Sequence, residues 1–168
     1  MATFKHRGKE VTVINNHLTS RFGSTPAFGG IQPFVQAGEA ERGAQTEALN
    51  EVVDALLAGV NGNLFHASKG GRIMVVGDLN TMEFTDEMTE KLPGVGADRV
   101  LSNLIDDLTD DNVYTFNFEG NSQVLDHFFV GDAVDASFDI VHVNVDFPRV
   151  SSAVGSDHEP LLALIDLR

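Results

Sequence analysis

Two short apolar runs constrain this chain more than any other feature: Val11-Thr12-Val13-Ile14 and Ile73-Met74-Val75-Val76. The first is β-branched throughout and the second is continuously apolar, so both read as buried strands. Each runs straight into polar residues, Asn15-Asn16-His17-Leu18 after the first and Gly77-Asp78-Leu79-Asn80 after the second. Between them, residues 21–38 are rich in Gly, Pro and Ser and read as a long surface loop. Loops of that length usually serve a site or an interface. Glu39 to Ala58 reads as a helix, with Ala44, Leu49, Val52, Val53, Leu56 and Leu57 roughly along one face. Gly59 to Gly71 is a connection, and residues 81–112 are mixed and helix-leaning, with turns at Pro93-Gly94 and Asp110-Asp111-Asn112. Val113–Phe118 and Gln123–Val130 predict a β-hairpin with a three- to four-residue connection around Glu119-Gly120-Asn121. Phe138–Val145 and Leu161–Leu167 predict two further strands. The order β, α, β, mixed, β, β, β, β favours a mixed α/β sandwich.

Length and composition set outer limits. The 168 residues fit one domain, and a hydrophobic share of 42% is enough for a core. With no cysteine, disulfides, thiolate metal sites and cysteine nucleophiles are excluded. No apolar run is long enough to span a membrane, and the N-terminus lacks the apolar stretch of a signal peptide. A net charge of −14 repels nucleic acid at long range and argues against a DNA-coating protein; such acidity also occurs in proteins adapted to high salt. An acidic enzyme still cuts a polyanion where divalent metal neutralises the reacting phosphate.

Four polar clusters carry candidate chemistry. Asn16-His17 follows the first strand; His17 there donates to a phosphate oxygen or exchanges protons, or is satisfied by a backbone carbonyl. In Gly77-Asp78-Leu79-Asn80, Asp78 and Asn80 are two residues apart and able to converge on a hard cation or a nucleophilic water; the alternative is an Asp-x-Asn capping turn. In Leu125-Asp126-His127-Phe128-Phe129-Val130, Asp126 stands among apolar neighbours and needs a cationic or hydrogen-bonding partner, for which a histidine serves. His127 points to the opposite face and reads as structural. In Ser156-Asp157-His158-Glu159-Pro160, adjacent Asp and His suit a metal ligand and a general base, or form a polar turn. Together, two histidines, three aspartates and an asparagine on strand-end loops are what phosphodiester hydrolysis needs.

In order and spacing, N-H-L, G-D-L-N, L-D-H-F-F-V and S-D-H-E-P resemble the C-terminal motif series of the endonuclease/exonuclease/phosphatase superfamily, from about residue 10 to the end. A narrower likeness, to bacterial extracellular nucleases of that superfamily, rests on Phe28-Gly29-Gly30-Ile31-Gln32-Pro33, on Glu39 to Gln45, on Thr115 to His127 and on Val141-His142-Val143-Asn144. The resemblance implies the C-terminal half of a four-layered α/β/β/α, DNase I-like sandwich with a mixed, mainly antiparallel sheet. It implies magnesium-dependent phosphodiester hydrolysis, with Mg²⁺ foremost and Mn²⁺ or Ca²⁺ as alternatives, on a nucleic acid substrate. Residue by residue, it implies that His17 contacts the scissile phosphate with Asn16 beside it, that Asp78 activates water, and that Asn80 binds phosphate or metal. It further implies that Asp126 orients His158, that Asp157 contributes to the metal site, and that His158 is a general base or phosphate stabiliser.

The family's earlier strands carry an asparagine and a metal-binding glutamate, and nothing before Val11 matches them. Residues 1–168 therefore read as a single partial domain, with one of its two sheets largely missing and a sheet face left for an N-terminal half or a second chain to cover. The fragment alone is expected to bind metal and turn over weakly or not at all. The resemblance also implies a secreted setting and no membrane anchor. The runner-up function is a phosphatase or phosphodiesterase on a small or lipid phosphate, and the third is an inactive binding module. Tyr114 and Gln123 read as half-buried strand residues, His66 and His142 as surface or sheet histidines, His6 with Lys5, Arg7 and Lys9 as a solvated basic terminus, and Asp106 to Asp111 as a solvated loop.

Overall fold

In the computed structural model, residues 1–59, 71–109, 112–144 and 155–167 are described. The first apolar run is the middle of a longer strand, β2 (Lys9–His17), which pairs antiparallel with β1 (Ala2–His6). The basic terminus is thus an edge strand rather than a solvated tail. Every residue of β1 is exposed, so it carries no core pattern, and its pairing comes from the turn at Arg7-Gly8, both at positive φ. The second run is β3 (Ile73–Asp78), parallel to β2. β3 pairs antiparallel with β7 (Asp126–Gly131), and β7 with the short β4 (Leu101–Asn103), giving a mixed, mostly antiparallel sheet in the order β1-β2-β3-β7-β4.

One face of this sheet is covered by helix α1 (Glu39–Leu57), one residue shorter than the sequence pattern predicts. Ile14, Ile73, Val75 and Phe129 of the sheet pack there with Leu49, Val53 and Leu56 of the helix. Side chains alternate along a strand, so Val11, Met74 and Val130 point to the other face. They pack against a second, two-stranded sheet, β8 (Val134–Ile140) antiparallel to β9 (Leu161–Leu167), through Val134 and Leu167. The described residues therefore form three layers, helix, large sheet and small sheet. The small sheet packs on part of the face expected to lie bare, and apolar residues stay exposed on β9, with Leu162 at 54% and Leu164 at 70% exposure.

Other expectations are corrected. The hairpin after Val113 is only β5 (Phe116–Phe118) and β6 (Asn121–Gln123), joined by the two residues Glu119 and Gly120, both at positive φ. Its second strand does not run on to Val130. Val124 and Leu125 belong to neither strand, and the Leu125 N–H donates to Thr115 Oγ1 instead of across a ladder. The chain bends there and leaves the hairpin for the large sheet. β8 starts at Val134 and ends at Ile140, not Phe138 to Val145; Glu159 Oε2 accepts the backbone N–H groups of Val143 and Asn144 and holds them in a turn, and Val145 lies outside the described residues. His142 belongs to that turn, where Nε2 donates to Asn112 O and the ring meets Tyr114. The helix-leaning stretch after residue 81 holds only single turns, at Glu87–Lys91, Gly96–Asp98 and Leu104–Asp107, with β4 among them. His66, Asp110 and Asp111 lie outside the described residues.

Candidate active site

Strand register assembles the site. His17 is the partner of Asp78 across β2 and β3, and Asp78 is the partner of Asp126 across β3 and β7, so the three form one row across three strands. Alternation places all three on the small-sheet side, because His17 has the parity of Val11 and Val13, Asp78 that of Met74 and Val76, and Asp126 that of Phe128 and Val130. Gly77 makes this row possible: a Cβ there would lie 2.1 Å from Asn16 O, at a φ of 125°. His158 arrives just before β9, held by an antiparallel bridge to Phe116 and by ring contact at 4.8 Å.

The side chains then meet. His158 Nδ1 is 2.6 Å from Asp126 Oδ2, and His158 Nε2 is 3.9 Å from Asp78 Oδ2. His17 Nε2 is 3.5 Å from the same Asp78 oxygen. Asp78 Oδ1 accepts the backbone N–H of Asn80, whose side-chain nitrogen donates to Leu18 O. The Asp-x-Asn turn and the site are thus one feature. Asn80 is itself at positive φ and buried, and its Oδ1 is left to accept from a ligand or hold a cation.

A cavity of about 480 Å³ opens on this row. His17, Asp78, Asn80, Asp157 and His158 line it; Asp126 is not a lining residue and acts on the cavity through His158. Asn16 is not a lining residue either: it has the opposite strand parity to His17, and its amide bonds back to Ile14 O. His127 confirms its structural reading, being fully buried on the helix side between Asn103 and Thr81 O.

Other lining residues carry no assigned role in the sequence: Arg21 and Phe22 in the long loop, and Phe116, Phe118 and Leu125 within segments that carry only the resemblance, while Gln123 is at once strand residue and lining residue. The signal was the loop 21–38, read only as serving some site. Phe22 is 96% exposed at the mouth. The base of the loop is clasped by Arg42, a buried helix residue whose Nη1 donates to Ala37 O (2.7 Å) and Thr19 O (3.3 Å), while Gln45 Oε1 accepts from Thr19 N. Arg42→Met keeps the aliphatic stem and removes those donors. It is expected to cost about 1–3 kcal/mol for the carbonyls left unpaired and to make the loop a preferred cleavage site. Limited proteolysis beside a denaturant melt measures both.

The electrostatics sort the groups into roles. Burial first, then the nearby Asp126 carboxylate, raise the Asp78 pKa, offset in part by the Asn80 N–H and the two histidines. The hydrogen bond to Asp126 raises the His158 pKa against desolvation, with Asp78 and Asp157 adding to the rise. A raised carboxylate beside a raised imidazole is a pair suited to passing a proton. Burial, then Arg42, lower the Arg21 guanidinium to about 10, which leaves it cationic at neutral pH.

No family model and no curated protein sequence matches the chain. Solved structures do. A mannosyl-6-phosphatase from Bacteroides thetaiotaomicron superposes with a TM-score of 0.62 at 19% identity, over 96% of this chain and 53% of that one. An endonuclease/exonuclease/phosphatase family protein from the same organism gives 0.61 at 19% identity, over 96% and 52%. The fold is that of the endonuclease/exonuclease/phosphatase proteins. A third structure with this endonuclease/exonuclease/phosphatase fold, a beta toxin variant from Staphylococcus aureus with bound magnesium ions, gives 0.52 at 18% identity, over 96% and 55%. The chain spans about half the length of each structure it matches.

Proposed function

We propose that the chain carries the hydrolytic centre of a metal-dependent phosphodiesterase acting on nucleic acid. The observation that carries this is the row His17–Asp78–Asp126 closed by His158 at 2.6 Å from Asp126, with His17, Asp78 and His158 lining one cavity. Donors for a divalent cation converge here: ligand atoms of Asp78, Asp126 and His158 lie within 4.8 Å of one another, and Asn80 and Asp157 line the same cavity. Oxygen donors suit Mg²⁺ best, as does its presence in the similar toxin. Asp78, Asn80 and Asp157 would hold the ion, which supplies charge neutralisation at the phosphate.

The chain's own groups do the rest. Asp78 orients the attacking water, which His158 deprotonates. Asp126 accepts the His158 Nδ1–H, so the unprotonated Nε2 faces the cavity and takes the proton of the attacking water. His17 and Asn80 bind non-bridging phosphate oxygens. The segments similar to bacterial extracellular nucleases favour nucleic acid and a secreted setting. A small or lipid phosphate is the second reading, favoured by the net charge of −14 and by Arg21 being the single Lys or Arg among the cavity-lining residues. The exposed Leu162 and Leu164 on β9 support a further segment or a second chain covering that face. Among the described residues no helix is long and apolar enough to cross a membrane.

Plasmid nicking, run beside hydrolysis of bis(p-nitrophenyl) phosphate and of sphingomyelin, tests the assignment. Nicking that drops to background with EDTA and returns with Mg²⁺ is the expected result. Turnover of the small or lipid phosphodiester with an intact plasmid moves the assignment to the second reading, and no turnover of any of the three substrates contradicts both.

A further inference from the structure

Three segments carry the site, and one buried hydroxyl and its own backbone tie all three. Thr115 is fully buried and lines no part of the cavity. Its Oγ1 accepts two backbone N–H groups, from Leu125 at 3.0 Å and from Asp126 at 3.1 Å. A hydroxyl has two acceptor lone pairs, and both are used. Its carbonyl accepts the N–H of Glu159 at 2.8 Å, next to His158, and its N–H donates to Gln123 O at 2.9 Å. The chain reaches the Asp78 segment as well, since Leu125 O accepts the N–H of Leu79 at 2.9 Å.

These bonds fall where the sequence cannot hold its own geometry. Between Gln123 and Asp126 the chain leaves one sheet for another: Leu125 belongs to no strand, and Asp126, though opposite Asp78 in the register, points its N–H at Thr115. A buried N–H needs an acceptor, and Thr115 Oγ1 is that acceptor for both. The same residue fixes the start of β7, where Asp126 sits, and the approach to β9, where His158 sits. The separation of Asp126 from His158 is therefore set through one residue, by its hydroxyl on the Asp126 side and by its backbone carbonyl on the His158 side.

We infer that Thr115 is a positioning residue: it holds Asp126 and His158 at hydrogen-bond distance and both against Asp78, without touching substrate. This deepens the hydrolytic reading above, and its spectroscopic test does not depend on that reading.

Thr115→Val keeps the shape and removes the acceptor; Thr115→Ser keeps the acceptor and removes a methyl group. In the Val variant kcat is expected to fall about 10- to 100-fold, the usual cost of losing a supporting hydrogen bond behind a reactive group, with KM little changed; the Ser variant is expected to recover most of it. Independently of turnover, the His158 Nδ1 proton, donated to a carboxylate over 2.6 Å, should give a far-downfield ¹H NMR signal. That signal is expected in the parent and Ser proteins and lost or shifted upfield in Val. A downfield signal unchanged in a folded Val variant overturns the inference, as does a fall in kcat that Ser does not rescue. Thr115→Cys, whose sulfur accepts weakly, gives an intermediate arm. If Val and Cys both fail to fold while Ser folds, Thr115 holds the fold rather than the site and the inference fails. A parent protein inactive on every phosphoester but showing the expected signals contradicts the hydrolytic reading and leaves the positioning role standing.

Discussion

Replacing His158 by Gln should lower kcat about 10²- to 10⁴-fold, the range contributed by a positioned acid or base. Gln matches much of the imidazole's reach and keeps a donor towards Asp126, yet it cannot carry a proton. A large loss with KM held within a few-fold is therefore the signature of proton transfer rather than of binding. The pH profile gives the sign. Asp126 raises the His158 pKa, so a base at this position is protonated and idle until the pH passes a value above the ordinary histidine range. The acidic limb of kcat/KM should lie correspondingly high in the parent. Asp126→Asn removes the charge and leaves only a neutral amide oxygen to accept, so that limb should move down even as the plateau falls. A His158→Gln variant with parental kcat would remove His158 from the chemistry.

The second large effect is on stability in acid. His127 is fully buried; Asn103 Nδ2 donates to its Nδ1, and its Nε2 donates to Thr81 O. The Asn103 amide is itself oriented, because its Oδ1 accepts from Ile105 N. A proton added at Nδ1 would therefore face a donor, in an apolar core. Burial accordingly lowers the His127 pKa from 6.5 to about 4, opposed by the bond to Thr81 and by Asp126. The unfolded chain takes up this proton first as pH falls. The stabilisation is complete above the unfolded value of about 6.5 and is lost progressively as the pH drops to about 4, amounting to about 3 kcal/mol at 1.36 kcal/mol per unit. Urea melts at pH 7.5, 5.5 and 4.2 measure it. In His127→Gln the slope of stability against pH over this window should be shallower by up to one proton. Equal slopes in the two proteins would show that His127 titrates normally.

What the sequence made legible follows from what each residue reports locally. Val11–Ile14 and Ile73–Val76 are visible because burial leaves its mark on composition, and Leu161–Leu167 because its run is apolar although much of it is exposed. The four polar clusters were legible as motifs, and the spatial row they form follows from register once strand parity is known. β1 was illegible because an edge strand exposed along its whole length needs no apolar pattern. The bend at Val124-Leu125 was hidden because two adjacent buried apolar residues look like a strand continuing. Thr115 and Arg42 were passed over for a related reason: each works by satisfying distant backbone groups, Leu125 and Asp126 for one, Thr19 and Ala37 for the other, and no local pattern announces such a bond. Asn16 was placed in the site by adjacency to His17, where strand alternation turns it away.

The central claim is that Asp78, Asn80 and Asp157 hold a catalytic divalent cation beside His158. Titration of the protein with Mn²⁺, followed by electron paramagnetic resonance and competed with Mg²⁺, tests it most directly. The account predicts weak but saturable binding, as expected where no residue before Val11 matches the family's metal-binding glutamate, that Mg²⁺ displaces and that Asp78→Asn abolishes while its thermal melt stays near the parent's. Absence of saturable binding in the parent, or equal binding in Asp78→Asn, would contradict it.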